Sequence, residues 1–337
     1  MNQKKDIEQI CLLDKKWRSG NIKVERVGGQ TNRNYKVKHK NTLMFVRLPW
    51  EDTEIVDREI EAKNTTALAR NKKLAKILPK YYLYILRGKN ILKPKERTTY
   101  DLPDRAMVME YIEGKDIDGR DLERTKIKKA LLKTLYLFHT SGVKFTNSYD
   151  VFRDEISKYK RKAKQYPIDE LISKKKIKII EGVEEIMKEK LPLGGAVSTH
   201  NDLIFENLRL GKTGRVYLLD FEYAGFNIRN GLHYDIGIIL GGNLFQKNPI
   251  KIKTYEEILK MTPRIYRRGF DSYRAYCGAL TNILVMFWWG VVKYFSSDNR
   301  SEKTYFKKYV LERVKGIKFL FDIIEQKRGL EESNPFG

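Results

Sequence analysis

Three features of this sequence predict an α+β chain of two lobes, a small strand-rich one followed by a larger helical one. Short apolar or alternating runs at residues 23–27, 34–38, 43–48 and 106–111 read as strands, with a helical stretch at 54–68 between the third and the fourth. Beyond Gly114 the period changes: Ile127, Leu131, Leu135 and Phe138 recur at near-helical steps, as do Ile179, Val183 and Ile186. A length of 337 residues lets each lobe bury a core without disulfides or metals. The expected boundaries are a first lobe at 1–112, a second at 113–332 and a frayed tail at 333–337.

Composition narrows the function classes. The formal charge of +24 invites a nucleic-acid partner, because clustered Lys and Arg release counterions from phosphates. Here the positive residues run from residue 4 to residue 328, and the densest stretch, 157–190, alternates charges with Ile and Leu at helical spacing, as a solvated helix face does. No nucleic-acid partner is therefore expected. Residues 275–292 carry no charged side chain over eighteen positions, the lower limit for a membrane span. The same stretch holds Tyr276, Thr281, Asn282 and two glycines, which suits a buried helix of the larger lobe, so no membrane insertion is expected. Cys11 and Cys277 lack any metal-ligand spacing, and residues 1–10 are too polar for a signal peptide. The expected setting is reducing and cytoplasmic, without structural zinc.

The chemistry concentrates at residues 199–225, THNDLIFENLRLGKTGRVYLLDFEYAG. Protein kinases carry H-R-D-x-x-x-x-N followed by D-F-G, in which the first Asp accepts the proton of the attacking hydroxyl while the Asn and the second Asp hold magnesium. Here the run H-N-D-x-x-x-x-N keeps the five-residue step from Asp202 to Asn207, and D-F-E begins thirteen residues later at Asp220. A hard cation needs carboxylate and amide oxygens, which Asp220 and Asn207 supply, and one carboxylate must stay free to take a proton, which suits Asp202. His200 is expected to buttress the loop by hydrogen bonding. Upstream, the small-residue turn of Gly28, Gly29, Gln30, Thr31 and Asn32 would bring backbone N–H groups close to phosphates. Arg47 falls where a kinase places its phosphate-binding lysine, and a guanidinium fork can grip phosphate oxygens in pairs. Its charge in a strand needs a partner; Glu59 and Glu61 are the candidates, with Glu61 favoured and Glu59 left to the surface. Residues 106–114, AMVMEYIEG, read as an apolar strand ending in the connector between lobes, where main-chain atoms at Glu110 and Ile112 would meet an adenine edge.

With these residues in view the sequence resembles the choline and ethanolamine kinases, within the larger aminoglycoside-phosphotransferase-like group that shares a bilobal protein-kinase-like fold. The resemblance rests on G-G-x-T-N-x-x-Y at 28–35, F-V-R-L at 45–48, R-x-x-E-x-x-N at 58–64, E-Y-I-E-G at 110–114, L-F-H-T-S-G at 137–142, D-V-F at 150–152 and L-D-F-E-Y-A-G at 219–225. The last is the most specific, because the Glu-Tyr after D-F sets choline-kinase-like proteins apart from most relatives. The resemblance implies ATP- and Mg2+-dependent phosphorylation of the hydroxyl of choline or a related amino alcohol, a small and in part cationic substrate. It implies Asp202 as base, Asn207 and Asp220 as magnesium ligands, and Gly29, Thr31, Asn32, Arg47, Glu61, Glu110 and Ile112 on the nucleotide. Asp235 in Y-D-I-G would support the catalytic region.

On the acceptor side the resemblance implies Trp289, Tyr223 and Glu222, since aromatic faces and a carboxylate cage a quaternary ammonium. Val292 stands where the family has a second tryptophan, and YDIGIILGGN at 234–243 lacks the family's acidic residue. Trp288, Tyr223, Tyr266 or Tyr294 could compensate, or pack as core. The acceptor therefore stays open among choline, an ethanolamine-like alcohol and another small hydroxylated compound such as an aminoglycoside, thiamine or a sugar. A non-catalytic nucleotide- or nucleic-acid-binding protein is the alternative from another class. Neither the oligomeric state nor the pathway follows from these residues.

Overall fold

Along residues 42–49 Val46 and Leu48 are fully buried and Arg47 between them is buried too, so a strand with a period of two serves two different interiors. Val46 and Leu48 join Ile10, Leu13, Trp17, Tyr35, Val37 and Ile85 in one apolar cluster. Arg47 lies on the opposite face, beside a second cluster of Ala62, Tyr84, Met107 and Met109. Burying a side chain such as Leu48 contributes about 2 kcal/mol, and the first cluster is large enough to hold the strand's register while a charge is carried on its other face.

The computed structural model describes residues 3–19, 21–28, 32–49, 56–93, 102–229, 231–266 and 269–332. It opens with α1 (Gln3–Leu13), β1 (Lys23–Arg26), β2 (Asn32–His39), β3 (Thr42–Pro49), α2 (Arg58–Arg70), β4 (Tyr81–Leu86), β5 (Lys89–Asn90), β6 (Met107–Glu110) and β7 (Gly114–Asp116). Then come α3 (Gly119–Glu123), α4 (Thr125–His139), β8 (Ser148–Tyr149), α5 (Ser157–Ala163), α6 (Lys174–Lys190), β9 (Val197–Thr199), β10 (Leu208–Gly211), β11 (Val216–Leu218) and β12 (Gly225–Asn227). The last helices are α7 (Leu232–Gly241), α8 (Ile252–Tyr266), α9 (Ser272–Ser296) and α10 (Arg300–Glu332). Two compact units result, Met1–Lys115 with Arg209–Glu222, and Asp116–Leu208 with Tyr223–Gly337.

In the first unit six strands lie in the order β1-β2-β3-β6-β4-β5. The four expected strands are β1, β2, β3 and β6; β4 and β5 are additions that the sequence reading did not contain. A two-residue turn joins β2 to β3, with Lys40 at φ 53°, and β6 pairs antiparallel with both β3 and β4. The helix expected over 54–68 is α2, which begins at Arg58 because the Asp57 carboxylate caps the N–H groups of Glu59 and Ile60. Residues 51–55 lie outside the described residues.

The second unit is mostly helical and is organised on α9. This helix is long and apolar enough to cross a membrane, yet 89% of its apolar window is buried inside the structure, chiefly against α7 and α10. It is the core helix that its Asn and Thr content suggested. Close approach of α7 depends on glycine: a Cβ on Gly237 would sit 2.6 Å from the Ala275 carbonyl oxygen, and one on Gly241 would sit 2.3 Å from that of Ala279. That contact seats α7 so that Asp235, in its first turn, is fully buried.

Candidate active site

In the first unit a series of charges grows from Arg47. Its Nη2 lies 2.5 Å from Glu61 Oε1 and its Nη1 lies 3.5 Å from Asp220 Oδ1. Glu61 turns its other oxygen, Oε2, to Arg58 Nη1 at 2.8 Å and to the Tyr84 hydroxyl at 3.0 Å. Arg58 Nη1 also donates to Glu222 Oε2 at 3.0 Å, and Asn32 joins both, accepting from Arg58 Nη2 at 3.3 Å and donating to Glu222 at 3.4 Å. The pair expected between Arg47 and Glu61 is thus present, while Glu59 is exposed and meets Arg87 at the surface. Burial favours the neutral forms, but Glu61 and the neighbouring carboxylates hold the Arg47 guanidinium above its usual range. Glu61 shows the mirror effect, with Arg47 and Arg58 holding its carboxyl below the ordinary value against burial. For Glu222 burial and then the Asp220 charge win over Arg58, and its carboxyl is pushed up to about 7.

Asp220 has φ 55°, a left-handed conformation rare for a non-glycine residue and one that recurs at functional sites. Its side chain is 31% exposed, so an oxygen remains open to a ligand. Arg47 Nε is buried with no hydrogen-bond partner, an orphan donor on the side chain whose Nη1 faces that carboxylate. At the end of β6 the Glu110 N–H donates to the Lys80 carbonyl, whereas the Lys80 N–H turns to the Glu110 carboxylate and leaves the Glu110 carbonyl aside. The Ile112 carbonyl is taken by Arg209 Nε. Gly29 and Thr31 lie outside the described residues; Asn32, next to them, is buried in the arginine network.

In the second unit the segment after β9 is held by backbone hydrogen bonds to buried side chains. Asp235 accepts from the N–H groups of His200 at 2.9 Å and Asn201 at 2.8 Å, and His139 Nε2 lies 2.8 Å from the same carboxylate. Asn201, at φ 65°, donates to the Tyr223 carbonyl and accepts from Thr199 and Asn227. Asn243, fully buried, accepts from the Phe205 N–H at 2.7 Å and donates to the Leu203 carbonyl at 3.2 Å, fixing the residues just past Asp202. Asn207 Nδ2 donates to the Asp202 carboxylate at 2.8 Å and to the Asp202 carbonyl at 2.9 Å, so its Oδ1 takes no part in these two bonds. His200 Nδ1 accepts the Asp202 N–H at 3.3 Å, a buttressing contact.

Each acceptor-side residue has contacts of its own. Trp289 is half-buried and packs edge-on against Phe306 and Tyr309, with Lys293 Nζ 5.8 Å from its ring centre. Tyr309 carries the Arg313 guanidinium 3.4 Å from its ring centre. The Tyr223 hydroxyl meets that of Tyr159 at 3.2 Å. Trp288 donates to the Glu184 carboxylate, which Lys160 also binds at 2.6 Å, so it serves the core. Glu222, expected beside Trp289 and Tyr223, is placed with Arg58 in the first unit. Arg58, His139, Asn201 and Asn243 have parts in these contacts that the sequence did not assign. Arg58 and His139 lay inside quoted motifs, and the i, i+3 spacing of Arg58 and Glu61 was the available signal for the former.

Among the described residues no group of three or more His, Cys, Asp and Glu side chains is gathered for a metal. Magnesium does not require one, since it takes one or two protein oxygens with substrate phosphates and water. In the first unit the partly exposed Asp220 carboxylate is one such oxygen donor.

The small antiparallel sheet with its charged strand, followed by a helical unit carrying the H-N-D loop, defines a protein-kinase-like α+β fold. Solved structures agree: the choline kinase LicA of Streptococcus pneumoniae superposes with a TM-score of 0.65 at 21% identity, covering 92% of this chain and 99% of that one. Choline kinase of Cryptosporidium parvum Iowa II gives 0.67 at 17% identity, covering 97% of each chain. A further LicA structure, in complex with AMP, gives 0.62 at 22% identity, covering 91% of this chain and 96% of that one. Residues 100–255 match the choline/ethanolamine kinase family model. A probable ethanolamine kinase of Arabidopsis thaliana is 28% identical over 141 residues, 39% of this chain; the match spans only 36% of that relative's length.

Proposed function

We propose that this protein is an ATP- and Mg2+-dependent phosphotransferase that phosphorylates the hydroxyl of a small amino alcohol of the choline or ethanolamine type. The observation that carries the proposal is the buried Arg47, paired to Glu61, beside the partly open Asp220 carboxylate and with its Nε unpartnered. A buried donor of this kind is costly unless a ligand oxygen satisfies it, and a phosphate is the ligand that matches a guanidinium. The AMP held by LicA supports the nucleotide side of the reading.

The first unit is assigned the nucleotide. Arg47 orients phosphate oxygens, and the Glu110 carbonyl and Ile112 N–H receive the adenine edge. Asp220 and Asn207 are the oxygen ligands assigned to Mg2+, whose contribution when bound is to neutralise charge on the transferring phosphoryl group. In the second unit Asp202 takes the proton of the acceptor hydroxyl as it attacks; Asn207 Nδ2 fixes one carboxylate oxygen for that task. His139 and Asp235 hold the loop in place. Trp289 and Tyr223 are assigned to the acceptor. The free thiols of Cys11 and Cys277 support a reducing, cytoplasmic setting.

The test is detection of the phosphorylated acceptor by mass spectrometry after incubation with Mg-ATP and a panel of choline, ethanolamine, thiamine, aminoglycosides and sugars. A phosphorylated amino alcohol is expected; a different phosphorylated acceptor would keep the kinase and discard the substrate class, and no product would remove the activity.

A further inference from the structure

Glu222 follows the proposed metal ligand Asp220 by two residues, yet its side chain turns to α2. There Arg58 Nη1 binds Glu222 and Glu61 together, and Arg58 is only 9% exposed. Reading the contacts in order gives a continuous path, Asp220 to Arg47, Arg47 to Glu61, Glu61 to Arg58, Arg58 to Glu222. Its two ends are separated in sequence by Phe221 alone. Three carboxylates and two guanidiniums therefore close a ring through the backbone of residues 220–222. Each oxygen of Glu61 serves a different arginine, and Asn32 braces Arg58 and Glu222 from the side.

From this ring we infer that Arg58 and Glu222 are a positioning couple, which ties α2 to the segment carrying Asp220 so that the Arg47–Glu61 pair and the Asp220 carboxylate take their working geometry together. The inference rests on the nucleotide reading above. Asp220 holds a left-handed backbone that its side chain alone does not favour, and a fixed neighbour two residues on resists its relaxation. Glu61 needs both arginines, because a carboxylate this buried is costly unless every lone pair is engaged. Removing Arg58 leaves three acids around one guanidinium and loosens Asp220 without touching the acceptor residues Trp289 and Tyr223. Glu222 is thereby assigned to the nucleotide–metal side.

The experiment is a double-mutant cycle of Arg58→Met, Glu222→Gln and the pair, with Arg58→Lys as the milder variant. Calorimetry of ADP binding with and without Mg2+ is read alongside steady-state KM for nucleotide and acceptor. Each single variant is expected to weaken Mg-ADP binding about tenfold, with metal-free ADP and acceptor KM changed less than about twofold, and the double variant to be no worse than the worse single. Arg58→Lys should fall between wild type and Arg58→Met. Additive losses, or a rise in acceptor KM with Mg-ADP binding intact, would overturn the couple. Wild type that fails to bind Mg-ADP would overturn the nucleotide reading and the couple with it. Variants that bind Mg-ADP as wild type does would overturn the couple alone.

Discussion

The charged cluster of the first unit and the H-N-D loop of the second solve the same problem by different means. Around Arg47 the groups are held by side-chain ion pairs between residues as far apart in sequence as 47 and 220, and each charge depends on the next. Around Asp202 the main chain itself is held, by Asp235, Asn243 and Asn201, and the side chain is finished by a local bond to Asn207. The cluster should respond to metal, salt and single charge changes. The loop should behave as a rigid template whose failures appear in turnover.

The sharpest break in this comparison is Asp202→Ala. Loss of a general base costs about 10²–10⁴ in rate, and because the residue acts on the acceptor, kcat should fall by at least that much while ADP binding stays within about twofold. Asp235→Asn should come next. The side chain keeps its size but loses a charged acceptor shared by two backbone N–H groups and His139, so kcat should fall about a hundredfold, with a stability loss of about 3 kcal/mol by chemical denaturation. In the cluster Asp220→Asn should raise the Mg2+ concentration for half-maximal rate by about tenfold or more, since an amide is a weaker ligand for a hard cation. Unchanged metal dependence would place the metal elsewhere.

The smallest effect on turnover is expected at the bidentate pair of Asp150 and Arg229, which also covers Phe152. Burial raises the Asp150 carboxyl, but Arg229 overcomes it and holds the group below the usual carboxylate range. A depressed folded value means that the stabilisation is present above the unfolded value, near 4, and is lost as pH falls through the folded one. Asp150→Asn should therefore cost about 3 kcal/mol at neutral pH and progressively less in acid, with kcat nearly unchanged. The D-V-F motif is on this account an anchor of the second unit.

How much of this was legible in the sequence follows the same division. β1, β2, β3 and β6 were readable as short apolar or alternating runs, whereas β4 reads YYLYIL, a run rich in tyrosine whose place beside β6 is a matter of tertiary pairing. The Arg47–Glu61 pair was legible because a charge in a buried strand must find a partner and few were near. Glu222 was not, since its position beside Asp220 says nothing of Arg58, 164 residues earlier. Asn243 and His139 acquire their work only through burial: Asn243 sits in the turn just past the apolar helix α7 and takes meaning from the Phe205 N–H that it receives. The H-N-D loop was legible as a spacing, whereas what holds it was spread over α4 and α7 and the turn beyond.

The most direct test of the central claim is ADP release from Mg-ATP, with and without choline or ethanolamine, by wild type and Asp202→Ala side by side. The account predicts acceptor-dependent release by wild type that Asp202→Ala loses while still binding ADP. Release that ignores the acceptor, or that survives Asp202→Ala, would contradict it.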